Sequence, residues 1–197
     1  MRKFFRAPLA LFCLFYVSIL YGAAGTGKKT PLAEEIKYRD KIVAAAQRHG
    51  LDPELVLALI SSESRHNPQA RGSRGEIGLM QIRPGRGGAV SEWARATGRR
   101  HPTVRELYDV NLNLEIGCWY LARAIRRWRR YNDHVALALV QYNAGASRAK
   151  ECAPKSLNGR VLPRIRIAST RSYVETVLKR YWKYLVERTE NRTAGVK

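Results

Sequence analysis

Glu63 is the residue of this chain whose setting most resembles that of a working acid. It lies in the segment Ala58-Leu59-Ile60-Ser61-Ser62-Glu63-Ser64. Leu55 and Leu59 precede it at steps of four, and Val56 and Ile60 widen that stripe, so the carboxyl falls on the core-facing side of an amphipathic helix. Asp52 suits the N-cap and Pro53 the first helical position, which predicts a helix from there to about Ser64, stopped by Asn67-Pro68. Glu63 then occupies the last turn. There the negative end of the helix dipole and the loss of hydration both favour its protonated form. A carboxyl that keeps its proton toward neutral pH can protonate a leaving-group oxygen, the first requirement of glycosidic bond cleavage. Taken alone, this helix is equally compatible with a solvated Glu at a frayed end.

The residues that follow bear on that choice. Glu63-Ser64 is succeeded by Asn67-Pro68, Ala70, Gly75 and Gly78-Leu79-Met80-Gln81. Further along come Asn113-Leu114-Glu115-Ile116-Gly117 with Tyr120-Leu121, then Gln141-Tyr142-Asn143-Ala144-Gly145, then Thr170-Arg171 with Tyr173-Val174. In these four ordered motifs the chain resembles the lytic transglycosylases of the soluble type, whose catalytic domain has a goose-lysozyme-like fold. The resemblance runs from about Ile36 to Glu187. It implies an α+β, mainly α, lysozyme-like single domain with a minor strand or loop element.

The resemblance also implies a reaction and its participants. Glu63 would act as acid and then as base on the bond between N-acetylmuramic acid and N-acetylglucosamine in peptidoglycan glycan strands, leaving a 1,6-anhydromuramoyl end. Ser64 and Gln81 match positions that hydrogen-bond around the reacting sugar. Tyr142 extends a core stripe, yet its hydroxyl wants a partner and could reach the sugar or Glu63. Asn143 is either a substrate contact or a helix C-cap before Gly145. Tyr173 is either a cleft wall or core filling. Family members often carry an acidic residue just before Thr170, where this chain has Ser169.

A retaining hydrolase needs a second carboxylate about 5 Å from the acid, and an inverting one a base roughly 6.5–9.5 Å away. No second Asp or Glu recurs within the matched motifs as an obvious partner, and Glu76 is expected to be solvated. A single acid suffices if the substrate's own C6 hydroxyl is the nucleophile, because intramolecular attack has a high effective molarity. Two other readings stay open: a muramidase that hydrolyses the same bond, and a non-catalytic module that binds cell wall or polyanions. No cofactor is implied.

The elements that must position these side chains are mostly helical. Helices are predicted over Glu34–His49 with a left-handed close at Gly50, over Ser91–Thr97, from Asn111 to about Arg130, from an Asp133 cap to Gly145, and over Ser172–Glu187. Arg71–Gly88, rich in Gly and Arg, should be irregular or a small hairpin lining the cleft.

Met1-Arg2-Lys3 and Arg6, the apolar run from Leu9 to about Leu20 and the small residues Gly22-Ala23-Ala24 read as a signal peptide over 1–24, with a retained anchor as the alternative. A linker over 25–35, the catalytic domain over 36–187 and a disordered tail over 188–197 complete the organisation. Export to the periplasm or cell envelope would make Cys118 and Cys152 a candidate disulfide, or else two buried thiols. The formal charge of +20 falls to +17 once Arg2, Lys3 and Arg6 leave with the signal peptide. Such a field attracts anionic envelope components. No nucleic-acid-binding motif accompanies the basic residues. The four histidines lack metal-site spacing, and a monomer is expected.

Overall fold

The computed structural model describes residues 37–194. The expected signal peptide and linker lie outside the described residues. Helix α1 (Arg39–Arg48) buries Ile42, Ala45 and Ala46 and closes at Gly50, whose φ of +66° is left-handed. Helix α2 (Pro53–Glu63) starts as its sequence dictates: Asp52 Oδ1 accepts from the Glu54 amide at 3.1 Å, and Pro53 stands at the first position. From Glu54 to Ser61 every residue of α2 is buried, so it is the central helix rather than a surface one.

The remaining helices wrap around it. Helix α3 (Gly88–Thr97) begins three residues earlier than predicted and ends at Gly98 in a left-handed cap. Helix α4 (Val110–Trp128) is capped by Asp109, whose Oδ1 accepts from the Leu112 amide at 2.8 Å. Helices α5 (His134–Ala144) and α6 (Ala146–Cys152) meet at Gly145, which adopts φ +90°. Helix α7 (Ala168–Ala194) packs along α2, and α5 packs against both α4 and α7. One hydrophobic core joins them.

Several expectations are corrected. Asp133 stands at the N-cap of α5 but makes no cap; its Oδ2 instead accepts from the Val161 amide at 2.8 Å, tying down a distant loop. Residues 188–194, expected as a disordered tail, continue α7. Arg188 there reaches back to Asp52 at 3.2 Å and to the buried Glu54 at 2.6 Å, and Tyr181 donates to Asp52 at 3.0 Å. Cys118 and Cys152 are both free. The Cys118 thiol lies 3.9 Å from Met80 Sδ and the Cys152 thiol 3.7 Å from the Arg164 carbonyl, so each packs within its own surroundings rather than against the other.

The strand element shrinks, among the described residues, to the isolated antiparallel bridges Arg71 with Ile77 and Ile77 with Ile82. What holds this short turn is a side chain. Asn113 of α4 is buried, accepts from the Met80 amide at 2.9 Å and donates to the carbonyls of Ile77 and Leu107, each at 2.9 Å. Its amide thereby bonds three backbone groups at once and ties the turn to α4 and to the segment before it. Gly78, at φ +76°, allows the close approach: a Cβ there would run into the Asn113 amide. No helix among the described residues is long and apolar enough to cross a membrane.

Candidate active site

The C-terminal end of α2, the pinned turn, the middle of α4 and the C-terminal end of α5 enclose a cleft of about 510 Å³. Glu63, Glu76, Gln81, Tyr120, Tyr142 and Asn143 line it. Helix α7 supplies the side chain that fixes the acid. Thr170, Val174 and Val177 form its buried stripe, which places Tyr173 beside the end of α2. There its hydroxyl donates to Glu63 Oε1 at 2.6 Å. Sequence reasoning left Tyr173 between cleft wall and core filling; the structure makes it the direct partner of Glu63.

Burial raises the pKa of Glu63 from 4.5 to about 7; the Tyr173 hydrogen bond opposes the rise, the negative charge of Glu76 adds to it and the positive charge of Arg74 counters it. Desolvation therefore dominates, as the helix pattern implied. Burial, with the nearby Glu63 charge, also pushes the hydroxyls of Tyr142 and Tyr173 well above the ordinary tyrosine value, so both remain neutral donors. With Oε1 engaged by Tyr173, Oε2 is the Glu63 oxygen left to carry a transferable proton.

The other predicted residues divide. The Tyr142 hydroxyl donates to the Met80 carbonyl at 2.9 Å, so it braces the turn while its ring lines the cleft and lies 5.8 Å from that of Tyr120. Gln81 takes a left-handed φ of +47°, a conformation that costs a non-glycine residue about 1 kcal/mol. Its Nε2 donates to the Gly78 carbonyl at 2.9 Å and the Ala70 carbonyl at 3.3 Å, which holds the side chain in the wall. Asn143 is no C-cap; its Oδ1 accepts from Thr170 at 3.0 Å and joins α5 to α7. Ser64 is not brought to the cleft. It is buried, it caps α2, and its hydroxyl donates to the Ile60 carbonyl at 3.3 Å.

Glu76 was expected in solvent, and its side chain is only 16% exposed. Arg74 is the reason: its backbone amide donates to Oε2 at 2.9 Å and its Nε to Oε1 at 3.1 Å. Burial works against the ionised form of Glu76, but backbone amides and the Arg74 guanidinium outweigh it and hold the carboxyl below its ordinary range. Gly72 makes room, since a Cβ there would meet both the Glu76 carboxylate and Gln81 Oε1. The signal in the sequence was Arg74 two residues ahead of Glu76, a spacing that permits such a turn. Asn113 and Tyr120 also lay within quoted motifs without an assigned role. Among the described residues no three His, Cys, Asp or Glu side chains gather as a metal site.

A half-buried neutral acid beside an ionised carboxylate, in a cleft walled by tyrosines and amides, suits proton delivery to a neutral polar substrate. Known proteins are similar to this chain in sequence and in fold. Residues 40–157 match the family described as the Transglycosylase SLT domain. Membrane-bound lytic murein transglycosylase E of Buchnera aphidicola is 36% identical over 86 residues, which is 43% of this chain and 38% of that protein. The transglycosylase of Enterobacteria phage PRD1 is 31% identical over 133 residues, 67% of this chain and 44% of that one. Among solved structures, an inactive mutant of lytic transglycosylase Slt from Pseudomonas aeruginosa superposes with a TM-score of 0.66 at 25% identity, over 78% of this chain and 25% of that one. The chain thus spans less than half the length of these relatives. With more than half of its residues inside the matched segment, the chain belongs to the Transglycosylase SLT domain family.

Proposed function

We propose that this chain is a peptidoglycan lytic transglycosylase in which Glu63 is the acid and then the base. Protonated Glu63 gives its proton to the oxygen bridging N-acetylmuramic acid and N-acetylglucosamine as the bond to the muramoyl C1 breaks. The resulting carboxylate takes the proton of the muramoyl C6 hydroxyl, whose oxygen bonds to C1. Glu63 ends protonated again, no water is consumed, and the product carries a 1,6-anhydromuramoyl end. Tyr173 keeps the carboxyl aimed throughout, and Gln81, Tyr142 and Asn143 shape the wall beside the sugar. The observation that carries this reading is the acid itself: buried enough to stay protonated near pH 7, hydrogen-bonded to Tyr173, and open to a sugar-sized cleft.

Hydrolysis is the competing reading, because Glu76 lines the same cleft and is ionised. Both of its oxygens already accept from Arg74, and a depressed pKa makes it a weak base. Those two features favour the intramolecular route. Mass spectrometry of digested cell wall decides: anhydro ends are one water lighter than reducing ends, and reducing ends alone would overturn the proposal. The basic charge and the N-terminal apolar segment support action outside the cytoplasm, with residues 1–24 as the export signal. The relative from Buchnera aphidicola is itself named membrane-bound.

A further inference from the structure

A second cavity, of about 700 Å³, adjoins the cleft along α3, and Gly88 lines both. Its walls carry Arg86, Ser91, Glu92, Arg95, Arg99 and His101. Among the described residues, the one carboxylate lining it, Glu92, is paired with Arg123 at 3.3 Å. Among the described residues no ion pair engages Arg86, Arg95 or Arg99. Three guanidinium groups therefore line one open cavity, and the carboxylate in its wall is engaged by Arg123 instead of by any of them.

One of the three is held at its side chain and another is carried by a braced loop. Arg86 sits in a loop whose Gly85 and Gly87 take φ of +96° and +94°, and Ser91 closes that loop by accepting from the Gly87 amide at 2.7 Å and donating to the Gly85 carbonyl at 3.3 Å. Arg99 lies over the ring of the buried Trp93, 5.6 Å from its centroid. Cations positioned before binding lose less freedom when an anion arrives, and guanidinium recognises carboxylate by paired hydrogen bonds.

We propose that this cavity is a binding site for the carboxylates of the peptide carried by the muramoyl sugar, so that the chain prefers peptide-bearing over bare glycan. The assignment rests on the transglycosylase reading, which puts a muramoyl residue in the adjoining cleft. An anionic peptide attached to that sugar, leaving the cleft past Arg83, enters a wall of three further cations where the two cavities join at Gly88.

The test compares intact sacculi with sacculi stripped of peptide, using wild type, the triple variant Arg86→Gln/Arg95→Gln/Arg99→Gln, and a charge-matched control with Arg126→Gln/Arg129→Gln/Arg130→Gln at the far end of α4. Exposed ion pairs of this kind are each modest, so three together should raise KM on peptide-bearing wall roughly tenfold with kcat unchanged. On stripped glycan the triple variant should match wild type, which also shows that it folds. Equal changes on both substrates, no change on either, or the same KM rise in the control would overturn the site while leaving the transglycosylase reading intact. Absence of any cleavage by wild type would overturn that reading and this assignment with it.

Discussion

The acid that Glu63 supplies should cost the fold stability, and the cost should depend on pH. Below pH 4.5 the carboxyl is protonated in both the folded and the unfolded chain and makes no difference between them. As pH rises, the unfolded chain releases the proton near 4.5, while the folded chain holds it until about 7. Stability present below the lower value is therefore lost progressively across that window and stays lost above it. Moving a carboxyl over this range disfavours its ionised form by about 3 kcal/mol at most. Glu63→Gln removes the ionisation but keeps a carbonyl oxygen to accept from Tyr173. Urea denaturation should then show the variant and wild type alike near pH 4, with the variant more stable by about 2–3 kcal/mol at pH 8. An advantage that is the same at both pH values, or a variant destabilised at pH 8, would refute the reasoning that desolvation sets the acid.

The neighbours of Glu63 should tune its titration in opposite senses. Tyr173→Phe removes the hydrogen bond that favours the carboxylate, so the alkaline limb of the kcat/KM profile should move to higher pH. The plateau should also fall on the order of tenfold to a hundredfold as the carboxyl loses its aim. Glu76→Gln removes the nearby negative charge, and the alkaline limb should move to lower pH with the mass of the products unchanged; a shift upward would contradict the account. Asn113→Ala strips partners from the Met80 amide and from the Ile77 and Leu107 carbonyls, which should cost about 3–5 kcal/mol in urea denaturation. A loss under 1 kcal/mol would show that the turn holds without it.

What could be read from the sequence was local. Asp52, Pro53 and the unbroken apolar run of α2 dictate a buried helix, and a carboxyl at its end stands out against that pattern. The left-handed close at Gly50 follows from glycine's freedom in the same direct way. Long-range partners were not legible. Asp133 has the right type for a cap, but the Val161 amide, 28 residues away, wins its carboxylate. The ion pairs from Arg188 to Asp52 and Glu54 close across more than 130 residues, and they carry α7 into what composition alone assigns to a tail. Tyr142 lines the cleft, yet its hydroxyl, expected to reach the sugar or Glu63, turns to the Met80 carbonyl, a choice made by backbone geometry. Glu76 was missed because Arg74 folds a charged pair into the wall, where charge in a Gly-rich segment ordinarily signals solvent.

Turnover of peptidoglycan by Glu63→Gln, measured beside its binding to insoluble wall, tests the central claim most directly. The account predicts a variant that binds wall as wild type does and releases muropeptides at less than about a thousandth of its rate, since the amide N–H is far too weak an acid to protonate the leaving oxygen. Release at the wild-type rate would contradict it.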